Sequence, residues 1–399
     1  MSNAQSPGPL DPGPAAEPLV LLVDPAGHVP NYDLYQVSAL LESGAQVAFA
    51  TAPSAGIGRL RGPRGIAFLN WLSRFFYSVG DVQPEIVHWQ WSLFPPIDVL
   101  AIRRLKAMGI PNVYSVHNVL PHEREPWHAP AYRGLYRSAD HLIVHSEATR
   151  NRLIELCAPS NLLSGSISAP GKTALAERIT VIPMPADPVP GPLPSRQTAR
   201  GALGLAEGAE IVLFFGQVRP YKGLDVLLDA MAILKRARSD VHLVVAGKVP
   251  GGSDARRKLE SSVAALDIAA GTGDTAVTLC LKYIPPDQVD LYFAAADVVA
   301  LPYRDTDDSA VLAAAMGRGR AVVASRVGGL AEALAGGGGM LVPAGDAVAL
   351  ADALNRVLAY PALRDRMEAD ARLAAGAWTW TDAAKRLMAV YRDVRRGFG

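Results

Sequence analysis

The sequence predicts two α/β domains in tandem, each a parallel sheet covered by helices, and three observations predict them. Short apolar, β-branched runs alternate with stretches of helical periodicity in both halves of the chain. The alternation is interrupted once, by MPADPVPGPLPSRQ at 184–197, whose prolines prevent a continuous helix or a central strand. The length, 399 residues, is too great for one ordinary core and suits two.

Each element follows in order. The opening MSNAQSPGPLDPGPAAEP is rich in Pro, Gly and Ala, and 1–17 is read as a flexible segment. From Leu19 come the strand-like runs LVLLVD (19–24), EIVHWQW (85–91), NVYSVHN (112–118) and HLIVHS (141–146). Between the second and third, Ala101, Leu105 and Met108 repeat at near-helical spacing before Gly109, and the next strand opens beyond Pro111, which makes one β-α-β unit. Past the proline stretch the alternation restarts with IVLFFGQV, VHLVVAG, DVVALPY, AVVASRV and MLVPAG. Leu224, Leu227, Leu228, Met231 and Leu234 mark one face of an intervening helix. The expected division is 18–190 for the first domain and 191–376 for the second. The segment 377–399 forms a last amphipathic helix, through Leu387, Val390, Tyr391 and Val394, that packs back on the first domain. Open parallel sheets bind ligands beyond the carboxyl ends of their strands, so the chemistry is expected in a central cleft that the two domains face.

Composition narrows the function. Hydrophobic residues make up 50% and charged residues 19%, as in a folding chain rather than a disordered one. A net charge of +1 provides no field to gather nucleic acid, although a local phosphate pocket is compatible with it. Cys157 and Cys280 are the two cysteines, without CxxC spacing, so neither a disulfide scaffold nor a cysteine zinc site is expected. The start has no basic region followed by an apolar core, and no later apolar run approaches a membrane span, so a cytoplasmic location is expected.

Several motifs fail their context. Gly165, Gly171, Lys172 and Thr173 imitate a P-loop with the wrong glycine spacing and no preceding strand. The run Gly271 to Ala276 imitates a dinucleotide fingerprint but leads into a strand-like run. His117, His122 and His128 with Glu123 and Glu125 suggest a metal cluster, yet Pro126 stands where an HExxH helix needs its second histidine. No GxSxG elbow occurs.

Two segments survive. FFGQVRPYKGLDVLLDAM at 214–231 reads as strand, glycine turn, Arg219 and Lys222 three apart, then helix, a geometry in which two cations and free backbone N–H groups converge on one anion. The plainer alternative is a pair of solvated surface charges. AADVVALPYRDTDDSAVLAAAMGRGRAVVAS at 295–325 repeats the pattern, with Ser309 placed to cap a helix whose amino end is a second anion site. An ordinary α/β crossover accounts for the same periodicity.

On these segments the carboxyl half resembles the donor domain of retaining GT-B glycosyltransferases of family four, and nearly the whole chain fits. GQVRPYKGLDVLLDA resembles the family's basic turn, ADVVALPYRD, GRGRAVVAS and VGGLAEAL follow its order, and WTWTDAAKRLMAVY resembles its closing helix. The resemblance implies a GT-B fold of two Rossmann-like domains. It implies donor contacts at Gly216, Arg219, Lys222, Tyr283, Ile284, Asp307, Asp308, Ser309, Ala310 and Val311, with Arg219 and Lys222 on the diphosphate. YSVHNVLPHE resembles the acceptor-domain element and gives His117 a catalytic, acceptor-side role, against the alternative of a structural histidine. In HLIVHSEATRNRL, Ser146 is read as a helix cap, and in DPAGHVPNY Gly27 and His28 are further acceptor-side candidates. One departure stands out: the family's two glutamates, eight residues apart, are Thr306 and Ala314 here, leaving Asp307, Asp308 and Glu332 as the nearby carboxylates.

The implied reaction moves a sugar from a nucleotide diphosphate sugar to a saccharide or lipid-linked acceptor hydroxyl, with retention and without a metal or other cofactor. Nucleic acid is not an expected partner. The alternative is a catalytically degenerate GT-B protein that binds a nucleotide sugar or a partner without turnover. Trp71, Arg74, Phe75, Phe76 and Tyr77 are either a buried helix face or a peripheral contact with the inner face of the plasma membrane.

Overall fold

The structure is a computed structural model, and it describes residues 17–25, 30–51, 64–92, 94–158, 174–270 and 276–398. The two lookalike glycine motifs at 165–173 and 271–275, together with Gly27 and His28, lie outside the described residues.

Strands and helices alternate along the chain. The first half carries β1 (Leu19–Asp24), α1 (Pro30–Glu42), β2 (Gln46–Thr51), α2 (Arg64–Val82), β3 (Ile86–Trp89), α3 (Pro95–Ala107), β4 (Asn112–Ser115), α4 (His128–Ser138), β5 (His141–Val144), α5 (Glu147–Cys157) and β6 (Ile179–Val181). The second carries α6 (Arg196–Ala202), β7 (Glu210–Phe215), a 3-10 turn (Pro220–Lys222), α7 (Leu224–Ala237), β8 (Val241–Ala246), α8 (Gly252–Ala270), β9 (Val277–Cys280), α9 (Pro286–Ala295) and β10 (Val298–Leu301). It continues with α10 (Ala310–Gly317), β11 (Val322–Ser325), α11 (Gly328–Ala333), β12 (Gly339–Val342), α12 (Ala347–Ala359), α13 (Pro361–Ala377) and α14 (Trp380–Phe398).

Two six-stranded sheets result, ordered β2-β1-β3-β4-β5-β6 and β12-β11-β10-β7-β8-β9. The pairs run parallel, for example Val298↔Val212 and Val299↔Leu213 between β10 and β7. Strands β3, β4, β10 and β11 are buried along their whole length, which is why β10 (VVAL) and β11 (VVAS) read as near-continuous apolar runs rather than alternating ones. In the second sheet the chain order reverses between β7 and β10, and this switch point is where an open sheet leaves a crevice for a ligand.

By its contacts the chain divides into two compact units: Met1–Tyr114 with Ser138–His141 and Ala384–Gly399, and Ser115–Arg137 with Leu142–Ala383. The proline stretch lies inside the second unit, and most of α14 inside the first. In the first unit Tyr391 of α14 is fully buried, with its hydroxyl 2.6 Å from His88 Nδ1. Trp71 and Phe75 of α2 are core residues there, stacked at 5.4 Å and packed on Trp89, whereas Tyr77 is 78% exposed. No helix among the described residues is long and apolar enough to cross a membrane.

In the second unit the apolar faces of α7 and α12 close one side of the second sheet, with Leu227, Met231, Leu354 and Val357 at its centre. Phe293, Leu312, Ala315 and Leu330 cover the other side. The two layers fix the loops that leave β7 and β10 at one edge.

Candidate functional site

The loops after β7 and β10 straddle the switch point, and glycines bring them together. Gly216 ends β7 at φ +92, and a Cβ on it would stand 2.8 Å from Lys222 Nζ and 3.3 Å from Val311 Cγ2. The ammonium and the first turn of α10 therefore flank the same backbone. Gly223, at φ +67, sits between the 3-10 turn and α7, and a Cβ there would overlap the carbonyl oxygen of Pro302. Only glycine permits both the left-handed conformation and this approach. Arg304 fastens the contact: its N–H donates to Tyr221 O at 2.7 Å, and its guanidinium donates to Pro220 O and grips Asp225.

Lys222 is 7% exposed. Among the described residues no carboxylate pairs with its ammonium, which lies 5.5 Å from the centre of the Tyr303 ring. Burial pushes its pKa down, Tyr221 opposes the shift and the Arg219 charge adds to it. Arg219 is more open, and its guanidinium donates to Glu123 Oε1 at 2.7 Å and to Gln217 Oε1 at 3.2 Å. Next to it the His122 ring stacks on Tyr221 at 3.6 Å, nearly parallel, and burial lowers the His122 pKa.

Ser309 caps α10, accepting from Leu312 N at 3.2 Å, while its hydroxyl lies 3.4 Å from Tyr303 Oη. Ala310 and Val311 follow in the first turn, Ala310 exposed. The helix dipole is thus aimed beside Lys222, and the two aspartates before the cap do not cancel it. Asp307 accepts from Val119 N at 2.8 Å, and Arg152 lies 2.8 Å from its other oxygen. Asp308 is pushed well above the usual carboxylate range, first by burial and then by Asp307 and Glu332, which disfavours its charged form. Ile284 belongs to the apolar cluster that contains Tyr303 and Leu312, whereas Tyr283 is 69% exposed.

The residues in place of the two glutamates are both buried. Thr306 Oγ1 donates to the Asp308 carbonyl at 2.6 Å, and Ala314 lies inside the core face of α10. Glu332 is engaged elsewhere: its two oxygens accept from Glu147 N at 2.8 Å and Ala148 N at 2.6 Å, closing the amino end of α5 together with the Ser146 cap. A cavity of about 390 Å³ lies beside α10, and its polar lining comes from His145, Asp308, Ser309 and Glu332.

His117 follows β4 and is 7% exposed, with Nδ1 3.3 Å from His145 Nε2. Two residues on, Val119 N is the group held by Asp307. Arg124 and Arg152 converge on Asp305, so the segment 117–124 is tied to the loop after β10 by the Arg124–Asp305 ion pair as well as by the Val119–Asp307 bond, and α5 by Arg152. His128 accepts from Glu125 N, and among the described residues no group of three His, Cys, Asp or Glu side chains is arranged to hold a metal ion. Sequence reasoning missed Arg152, Arg304, Tyr303 and the capping role of Glu332. Each acts on a partner far along the chain, for which local spacing gives no signal.

Two Rossmann-like α/β domains with facing turns at the second switch point define the class, a GT-B protein. Residues 195–374 match the family described as Glycosyl transferases group 1, and residues 32–162 match Glycosyltransferase Family 4. The chain belongs to this family-four type of GT-B glycosyltransferases.

Among its relatives is the D-inositol 3-phosphate glycosyltransferase of a Nocardioides species, 37% identical over 213 residues, 50% of this chain and 45% of that protein. The protein of the same description from Corynebacterium diphtheriae is 31% identical over 262 residues, 65% of this chain and 57% of that protein. The chain spans about half the length of the curated relatives it matches. Anabaena HepE, solved with UDP and glucose, shares the fold at a TM-score of 0.72 and 18% identity, over 94% of this chain and 100% of that one. Sucrose-phosphate synthase from Thermosynechococcus elongatus does so at 0.72 and 22%, over 96% and 100%.

Proposed function

We propose that this protein transfers a sugar, read as a hexose, from a nucleotide diphosphate sugar to an acceptor hydroxyl, with retention and without a metal ion. The observation that carries the reading is Lys222: a buried ammonium with no carboxylate partner among the described residues, beside the capped amino end of α10. Such a group favours an incoming anion, and binding a diphosphate raises its depressed pKa again. Arg219 adds a second charge. Its partner Glu123 has a side chain 75% exposed, so exchanging that carboxylate for a phosphate costs little.

In the reaction the bond from the anomeric carbon to the diphosphate oxygen breaks and a bond to the acceptor oxygen forms on the same face. The acceptor proton passes to the departing oxygen. Lys222, Arg219 and the N–H groups of α10 stabilise the leaving charge, a task that a metal ion performs in other transferases. His117 stands on the acceptor side and hydrogen-bonds a sugar hydroxyl. Ile284 and the exposed ring of Tyr283 offer an apolar face to the nucleotide base. The acceptor is a saccharide or lipid-linked saccharide, and the setting is the cytoplasm or the inner face of the plasma membrane.

A second reading, a GT-B protein that binds without turnover, is favoured by the buried Thr306 and Ala314 where the family has carboxylates. The test is to incubate the protein with a panel of nucleotide diphosphate sugars and follow the release of nucleoside diphosphate. Slow donor hydrolysis that survives EDTA supports the enzyme, and magnetic resonance of the product's anomeric centre decides retention. Binding of a donor with no release from any of them rejects catalysis in favour of the second reading.

A further inference from the structure

His145 lies immediately after β5 and before the cap of α5, and is 5% exposed. Its Nδ1 stands 2.8 Å from the carbonyl oxygen of Ile182, the residue after β6. A carbonyl only accepts, so the Nδ1 of His145 carries a hydrogen. Burial lowers the His145 pKa, which keeps the ring neutral and leaves its lone pair on Nε2. That nitrogen is 3.3 Å from Nδ1 of His117, with the ring centres 5.1 Å apart. The hydrogen between them then belongs to His117 Nδ1, and the neutral His117 ring has its lone pair on Nε2. A protonated His145 would reverse this, because both of its nitrogens would donate and His117 Nδ1 would have to accept.

We propose that His145, anchored by the Ile182 carbonyl, is a positioning residue that holds His117 in the Nδ1–H form and so presents an accepting Nε2 to a sugar hydroxyl. The inference rests on the substrate-side role of His117 proposed above. The anchor is backbone, so the relay is set by the register of β5 against β6, in which Val144 stands opposite Val181. The tie between Val119 and Asp307 holds the segment that carries His117.

Three variants of the full chain test this: His145→Gln, His145→Leu and His117→Ala. Ring-nitrogen spectra of ¹⁵N-histidine-labelled protein report the tautomer without reference to activity. The expected wild-type spectrum has His117 protonated at Nδ1. Glutamine both donates to a carbonyl and accepts from an imidazole, so His145→Gln keeps that tautomer and most of the turnover. His145→Leu lets the tautomers mix and lowers kcat roughly ten- to a hundredfold with little change in donor KM. It also moves the acid limb of the pH profile downward, because the His117 imidazolium loses its acceptor. A wild-type His117 with its hydrogen on Nε2, or a His145→Leu protein with unchanged tautomer, kcat and pH profile, overturns the proposal. If His145→Leu does not fold, the wild-type and glutamine spectra still decide. Full turnover in His117→Ala overturns the substrate-side reading separately and leaves the spectra to judge the relay.

Discussion

A buried ammonium without a counter-carboxylate is costly, and among the described residues Lys222 keeps one where the loops after β7 and β10 meet. If its task is to receive the leaving diphosphate, Lys222→Ala lowers turnover by about 10²–10³, and steady-state kinetics with the active donor checks this. Unchanged turnover removes the role. Asp33, in the first turn of α1, poses a different problem. It is 3% exposed, and burial together with the neighbouring Asp24 carboxyl pushes its pKa up to about 8. The folded chain therefore holds a proton on Asp33 between about pH 4 and about pH 8, where an unfolded carboxyl has lost it. The native state binds more protons in that window, so its stability falls as pH rises through it and levels off above the folded pKa. Asp33→Asn does not titrate and escapes the loss. Its melting temperature relative to wild type rises from pH 5 to pH 8, and thermal melts at the two values are the check. A gap that stays constant or narrows contradicts the shift.

At the scale of elements, turns and caps decide where the charged groups end up. Gly223 joins the basic turn to α7 in a left-handed conformation against Pro302. Gly223→Ala is therefore destabilising by at least ~1–2 kcal/mol, measurable by denaturant unfolding. Glu332 offers a sharper contrast. As a donor-binding carboxylate its loss would show in donor KM. As the cap of α5 its loss shows in stability, and Glu332→Ala is expected to cost about 0.5–2 kcal/mol with donor KM changed little. The elements themselves were mostly legible. The largely buried strands β1, β7, β8, β10 and β11 stand out as apolar runs, and α7 by its apolar face. The edge strand β2 did not: it lies at the margin of its sheet, exposes Phe49 to 44%, and its apolar run, Val47 to Ala50, is half alanine and only four residues long. β6 spans three residues, too short for any period to register.

For the molecule as a whole, a donor that binds only the folded chain must stabilise it. At a hundred times its dissociation constant a true donor adds about 2.7 kcal/mol, read as a concentration-dependent rise in melting temperature. EDTA is expected to leave both that rise and turnover unchanged. A donor shift that vanishes with EDTA would transfer the charge-stabilising role proposed for Lys222 and Arg219 to a metal. The sequence by itself determined the α/β class, the parallel sheets and the basic turn, because burial on both faces of a strand and the period of a helix are local properties written in residue order. The cap Ser309 belongs with these, as one short-range pattern. What only the tertiary structure decided is which charges are spoken for. Arg152 takes Asp307, Glu123 meets Arg219, α5 takes Glu332, His145 meets His117, and Lys222 is left beside Gly216. The four pairs stand tens to hundreds of residues apart, and the sheets, by bringing the ends of distant strands to one edge, are what select them.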